Sequence, residues 1–209
     1  MYVTRHNNVV SPDLRERIWR LYELAYRRTT EEAASREMLY RDEFDALMAD
    51  PTNRLWVLWH DGEPVACTLI ATDIANSRYL SRAYFERHYP DHTLRNAVHC
   101  IVWVVVHPAH VAKGALVRLA KDTFAAEAEE GSLLVFDTPQ VNQPAETGGL
   151  AEMMSRLANM VSKGTPIQQI DVQRYYAVDF GQGDVHIRRT VEEELDRLSG
   201  RSGIGRLPG

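Results

Sequence analysis

Val98-His99-Cys100-Ile101-Val102-Trp103-Val104-Val105-Val106-His107-Pro108 is the stretch that decides the fold. Both alternate sets of its side chains are mostly apolar. Val98, Cys100, Val102, Val104 and Val106 are expected on one side, Ile101, Trp103 and Val105 on the other. A strand apolar on both faces belongs in the middle of a sheet covered on both sides. Pro108 has no N–H to give a ladder, so it ends the strand. Ala109 to Ala115 is short, small-residued and punctuated by Gly114, and Leu116, Leu119, Ala120 and Phe124 then recur at helical spacing. Strand, small-residue turn and helix together make an anion cradle, because the first turn of a helix has unpaired N–H groups and a partial positive charge.

Upstream, Tyr2-Val3-Thr4 reads as a short strand. Ser11-Pro12-Asp13 reads as a helix start, with Ser at the N-cap and Pro at the first helical position. A second amphipathic piece spans about Arg36 to Ala49. Asp61-Gly62 between the apolar runs Leu55–Trp59 and Pro64–Thr72 signals a hairpin. Residues 76–97 are aromatic and charged, and are expected as a short helix and loop packed over the sheet. Downstream, Ser132–Phe136 is another buried strand, and Asn142 lies in the loop after it. Leu150, Met153, Met154, Leu157, Met160 and Val161 give a core-packing helix. Residues 167–180 alternate as a last, half-wet strand, and Thr190 with Glu193 marks a final helix before a Gly- and Arg-rich tail.

The 209-residue length suits one domain. A net charge of −5 argues against a nucleic-acid partner held on a basic surface. Cys67 and Cys100 both sit in apolar runs and read as reduced core residues of a cytoplasmic protein. Residues 1–30 contain no uninterrupted apolar segment, so no signal peptide is expected, and no apolar run reaches the roughly 20 residues that a membrane span needs. The two cysteines are not paired at ligand spacing, and no metal site is expected.

This order of elements resembles the GCN5-related N-acetyltransferase (GNAT) superfamily over about residues 1–180. The likeness rests mainly on residues 104–116 and 132–142. The central strand of that family often ends in V-x-V-x-P, matched by Val104, Val106 and Pro108. Its diphosphate turn, R/Q-x-x-G-x-G/A, falls on Val111-Ala112-Lys113-Gly114-Ala115-Leu116. Gly114 fits; Val111 replaces the Arg or Gln, and Leu116 the second small residue. Backbone N–H groups do much of the holding in such a turn, and most side chains leave those intact.

The resemblance implies an α/β (α+β) architecture. A mixed central sheet flanked by helices would open in a V between the fourth and fifth strands. A single domain would cover 1–180, with a C-terminal helix and loose tail over 181–209. It also implies an acyl-CoA-dependent N-acyltransferase, using acetyl-CoA or a longer acyl-CoA and a small-molecule or peptide amine. The backbone of Val104, Val105 and Val106 would pair with the pantetheine arm and meet the oxyanion. Val111 to Leu116 would grip the diphosphate, and Asn142 would face the arm or the reacting centre. The Tyr that protonates the leaving thiolate in many members would fall near Gly148-Gly149, where no such residue stands. Either that acid is missing or its role passes elsewhere, and Tyr175 or Tyr176 on the expected last strand could approach the cleft. His99 is the most plausible base, since an imidazole titrates near neutrality; the competing reading is a buried, hydrogen-bonded His. Asp73, His107 and Asp137 are further titratable candidates. Two alternatives stay open: a catalytically degenerate GNAT-like binding or regulatory module, and an acyl-carrier-dependent synthase of the N-acyl amino acid or acyl-homoserine lactone type. A homodimer is compatible with either.

Overall fold

Strand β4 (Val98–Val106) lies inside a five-stranded sheet whose order follows the chain, β1 (Tyr2–Asn7), β2 (Asn53–His60), β3 (Glu63–Ala71), β4 and β5 (Leu133–Val135). The computed structural model describes residues 1–9, 11–35, 38–75, 77–143 and 149–179. The first four strands are antiparallel neighbours, and β5 runs parallel to β4. A parallel neighbour needs a crossover, which helix α5 (Ala115–Glu130) supplies. Asp61 (φ 51°) and Gly62 (φ 79°) both occupy the left-handed region, as a two-residue hairpin between β2 and β3 requires.

Helices cover both faces. On one, α1 (Pro12–Glu32) and α2 (Arg41–Ala49) bury Ile18, Tyr22, Phe44 and Met48 against Leu55, Val57, Leu69, Trp103 and Val105. Ser11 caps α1 through its hydroxyl, which accepts from the Leu14 N–H, and Pro12 opens the helix. The rings of Tyr22 and Phe44 stand 5.5 and 5.9 Å from that of Trp103, and each is worth about 1.5–3 kcal/mol of burial. On the other face, α5 and α6 (Gly149–Val161) pack Leu119, Ala120, Phe124, Met154 and Leu157 onto Trp56, Leu58, Ala66, Ile70 and Ile101. The aromatic insert forms α3 (Arg82–His88) and α4 (Pro90–Leu94). Phe85 of α3 is buried with Ile74, Val98 and Val135, so it covers the sheet where β4 begins.

The expected strict alternation along β4 fails at one residue. Leu69 is opposite Trp103, but Ile70 is opposite Ile101, so Val102 is the extra residue of a bulge. Ile101 therefore shares the α5 face with Val104 and Val106, whereas Val102, Trp103 and Val105 face α1. A period-two count cannot see an inserted residue when both faces are apolar.

The chain divides into two units, Met1–Ile170 and Asp171–Gly209. Over 167–179 the alternating pattern forms no regular secondary structure, contrary to the expected last strand. Alternation is necessary for a half-buried strand, but a hydrogen-bonded neighbour must complete it. Phe180, the expected final helix and the tail fall outside the described residues.

Candidate active site

β4 is paired on both sides only at Cys100. β5 meets Val98, His99 and Cys100 and then stops, so from Ile101 to Val106 β4 has β3 on one side and no described strand on the other. The His107 N–H donates to the Val65 carbonyl at 2.8 Å. Antiparallel alternation then points the N–H and C=O of Val105 toward β3 and those of Val104 and Val106 toward the open edge. Beneath this edge on the α5 side is an apolar cavity of about 20 Å³, lined by Ile101, Val104, Leu116, Ala120, Phe124 and Met154 among others. It has room for about one water-sized group.

The expected turn is a 3₁₀ helix, Pro108–Lys113, ended by Gly114 in the left-handed conformation (φ 73°, ψ 25°). A Cβ on Gly114 would meet nothing within 4 Å, so glycine is needed here for its backbone angle and not for close approach. α5 starts at the next residue, and the N–H groups of its first turn have no intrahelical acceptor. No acidic residue stands in that turn. Val111, Ala112 and Lys113 are exposed, Ala115 is buried, and Leu116 turns into the core under α5. Leu116 thus leaves the mouth of the turn to the backbone. Arg118, which nothing in the sequence singled out, is an exposed cation one turn into α5.

After β5 the chain runs past exposed Asp137 into a short 3₁₀ turn, Gln140–Asn142. Asn142 is exposed, and its N–H donates to the Pro139 carbonyl. α6 begins at Gly149 (φ 56°), packed on this turn: a Cβ there would stand 2.8 Å from the Asn142 carbonyl oxygen and would strike the Gln143 side chain. No side chain of any kind fits at Gly149. This gives a steric reason why a Tyr is missing at this end of the helix.

His99 is 2% exposed and sits on the second of the three rungs joining β4 to β5. Its Nδ1 is 2.6 Å from Oε2 of Glu127, itself 4% exposed on α5. The Ser132 hydroxyl donates to the same oxygen, and Arg54 Nη1 lies 3.6 Å from Oε1. Burial pushes the Glu127 pKa up, but His99, Ser132 and Arg54 outweigh it and hold it below the usual carboxylate value. The ring is therefore engaged with α5 at the closed end of the strand pair. Asp137 lies near Cys100, whose thiol is pushed up to about 12, first by burial and then by that carboxylate. Asp73 accepts from the Ala75 N–H at 2.8 Å, and half-buried His107 accepts from the Ala109 N–H at 3.2 Å. Tyr175 and Tyr176 belong to the second unit and are exposed. No three His, Cys, Asp or Glu side chains among the described residues are placed to hold a metal.

No family model and no curated protein matches the sequence. Among solved structures, a transcriptional regulator from Bacillus halodurans C-125 is similar at 15% identity, over 84% of this chain and 100% of that one, with a TM-score of 0.51. An aminoglycoside acetyltransferase from an uncultured soil metagenomic sample is similar at 13% identity, over 85% and 96%, with a TM-score of 0.48. A ribosomal-protein-alanine N-acetyltransferase from Brucella melitensis biovar Abortus 2308 is similar at 14% identity, over 83% and 99%, with a TM-score of 0.46. The strand order, with a parallel fifth strand joined through a crossover helix and helices on both faces, decides the matter. This is the GNAT fold. In this GNAT fold the pairing of β4 with β5 ends at Cys100, two residues before the bulge at Val102. Among the described residues no helix is long and apolar enough to cross a membrane.

Proposed function

We propose that this chain is a divergent N-acyltransferase that moves an acyl group from a CoA thioester to an amine by direct attack. The observation that carries this reading is the open edge of β4. Val104 and Val106 present donors and acceptors to a gap that begins after Cys100, and the acid-free first turn of α5 follows after a single 3₁₀ helix. An extended amide-bearing arm matches the edge as an added strand. A diphosphate matches the N–H groups that follow Gly114, with Lys113 and Arg118 as flanking cations. The thioester carbonyl, lying along the edge, would receive an N–H at the oxygen that becomes the oxyanion. The amine attacks as the free base, the tetrahedral adduct collapses with loss of thiolate, and one proton passes from the nitrogen toward the sulfur.

For His99 we propose a positioning role. Its bond to Glu127 ties β4 to α5 on the paired rungs, which fixes where the strands part. The acceptor proton is then left to exposed groups at the strand ends, of which Asp137 is the one that follows β5 directly. Asn142, exposed on the turn that seats Gly149, is assigned to the pantetheine arm or the acceptor.

Isothermal titration with CoA, acetyl-CoA and longer acyl-CoAs tests the donor, and acyl transfer to a panel of small amines and peptide N-termini tests the reaction. Binding with turnover is the expected result, and no binding by any of the thioesters would overturn it. A second reading, binding without turnover, is favoured by one observation: Gly149 cannot carry an acid. It predicts CoA binding with no transfer to any amine of the panel.

A further inference from the structure

Three imidazoles converge beside the 3₁₀ helix that leads into α5. The ring of His110 stands 5.3 Å from that of His60, at the end of β2, and 5.6 Å from that of His107, at the end of β4. All three are half-buried. Nδ1 of His110 is buried without a hydrogen-bond partner among the described residues. A hidden polar atom without a partner costs stability unless something supplies the missing bond. These rings are not placed as a metal site. The charges that act on His110 are Lys113 from its own helix, His60 and Asp61 from the hairpin, and His107. Asp61 is the one acid of the set, and it lies 3.5 Å from His60 Nδ1. The nearby Glu63 is already paired with Arg17 of α1 at 3.0 Å. Imidazoles gathered around a lysine repel one another when protonated, so the cluster gains its charge most readily when an anion arrives.

The geometry points to a subsite for a phosphate monoester, formed by His60, His107, His110 and Lys113 at the edge of the diphosphate turn. Resting on the acyl-CoA reading, the occupant is the terminal phosphate on the ribose of CoA; the same chemistry would also accept free phosphate. Binding is linked to proton uptake. Burial, with Lys113, His60 and His107 in support, holds the His110 pKa below that of a free imidazole, and Asp61 only partly offsets this. A dianion among the rings raises those pKa values, so the bound form takes up protons and affinity falls as pH rises through the imidazole range.

The test is isothermal titration of the full chain with CoA and with 3′-dephospho-CoA, in two buffers of different ionisation enthalpy. The two working points are about pH 6.5, where most of a phosphate monoester is already the dianion, and about pH 8, above the range in which a free imidazole titrates. CoA is expected to bind roughly tenfold more tightly than 3′-dephospho-CoA at the lower pH, with net proton uptake, and about twofold more tightly at the higher. In the His60→Gln/His110→Gln variant the affinity for CoA should fall to that for 3′-dephospho-CoA, which itself should be unchanged. Equal affinities at the lower pH, or a gap that survives in the variant, would overturn the subsite and leave the acyl-CoA reading standing. If neither nucleotide binds, that reading is lost and the subsite is judged separately. Titration with inorganic phosphate, followed by NMR of the imidazole signals, supports it if the resonances of His60 and His110 shift together and overturns it if they do not.

Discussion

Removing the Glu127 carboxylate while keeping its bulk, as in Glu127→Leu, tests the foot of the cleft directly. Because an ionised carboxylate only accepts, the 2.6 Å contact assigns the proton to His99 Nδ1. In the variant that N–H and the Ser132 hydroxyl lose their acceptor, and the imidazole, 2% exposed, has no water to turn to. Breaking a buried pair from one side costs about 3–5 kcal/mol, so Glu127→Leu is expected in that range. His99→Leu leaves a carboxylate that still has Ser132 and Arg54, so it belongs at the lower end, about 3 kcal/mol. Removing both groups leaves leucines on facing elements already lined by Leu119, Phe124 and Ile101, and such a replacement costs about 0–2 kcal/mol. The two single losses then exceed the double by about 4 kcal/mol or more, far above the roughly 0.5 kcal/mol within which independent sites add. Urea denaturation followed by circular dichroism gives all four corners of the cycle, with equal slopes required for the comparison. Additive losses, or a single loss below about 1 kcal/mol, would refute the claim that this pair acts as one buried unit. The tie to function is a second readout. The double variant, folded but without the polar clamp, should bind CoA more weakly than the parent because the point of parting is no longer fixed.

Gly114→Ala and Gly149→Ala should separate two uses of glycine. The first meets only the backbone term, about 1 kcal/mol, since nothing surrounds its Cβ. The second adds a clash with the Asn142 carbonyl and should lose about 3 kcal/mol or more by thermal melting. Stability should also depend on acid pH through Glu127. Its folded pKa is depressed, so its contribution is full above the unfolded value near 4.5 and is lost as pH falls through the folded one. Urea midpoints between neutral and acid pH should fall less steeply for Glu127→Gln than for the parent. Burial pushes both Cys67 and Cys100 thiols up, so neither should react with a thiol reagent in the folded chain, and both should react once urea unfolds it.

Much of the scaffold was legible in the chain because its signals are local. Ser11-Pro12 starts a helix through a hydroxyl and a fixed φ, Asp61-Gly62 turns a hairpin through positive φ, and Gly114 ends one helix where the next begins. The features of the site that escaped are set by partners distant in sequence. The bulge at Val102 exists only in its register with β3, and a buried His99 was one of the two readings, but its partner Glu127 reaches it from α5, 28 residues on. Arg118 and the gathering of His60 with His110 are likewise products of packing, invisible to spacing along the chain. The alternation over 167–180 failed in the opposite sense, since the pattern is present and 167–179 form no strand.

The unpaired rim of β4 has a consequence for handling the protein. Amides that welcome an extended arm will equally welcome a stretch of another polypeptide, and the flanking valines are strong β-formers. The vacant molecule is therefore the form at risk of adding strands to itself at high concentration or on mild heating. If the proposed acyl-CoA reading holds, a bound thioester would fill the same hydrogen-bond sites, so its presence in the storage buffer should slow this self-association.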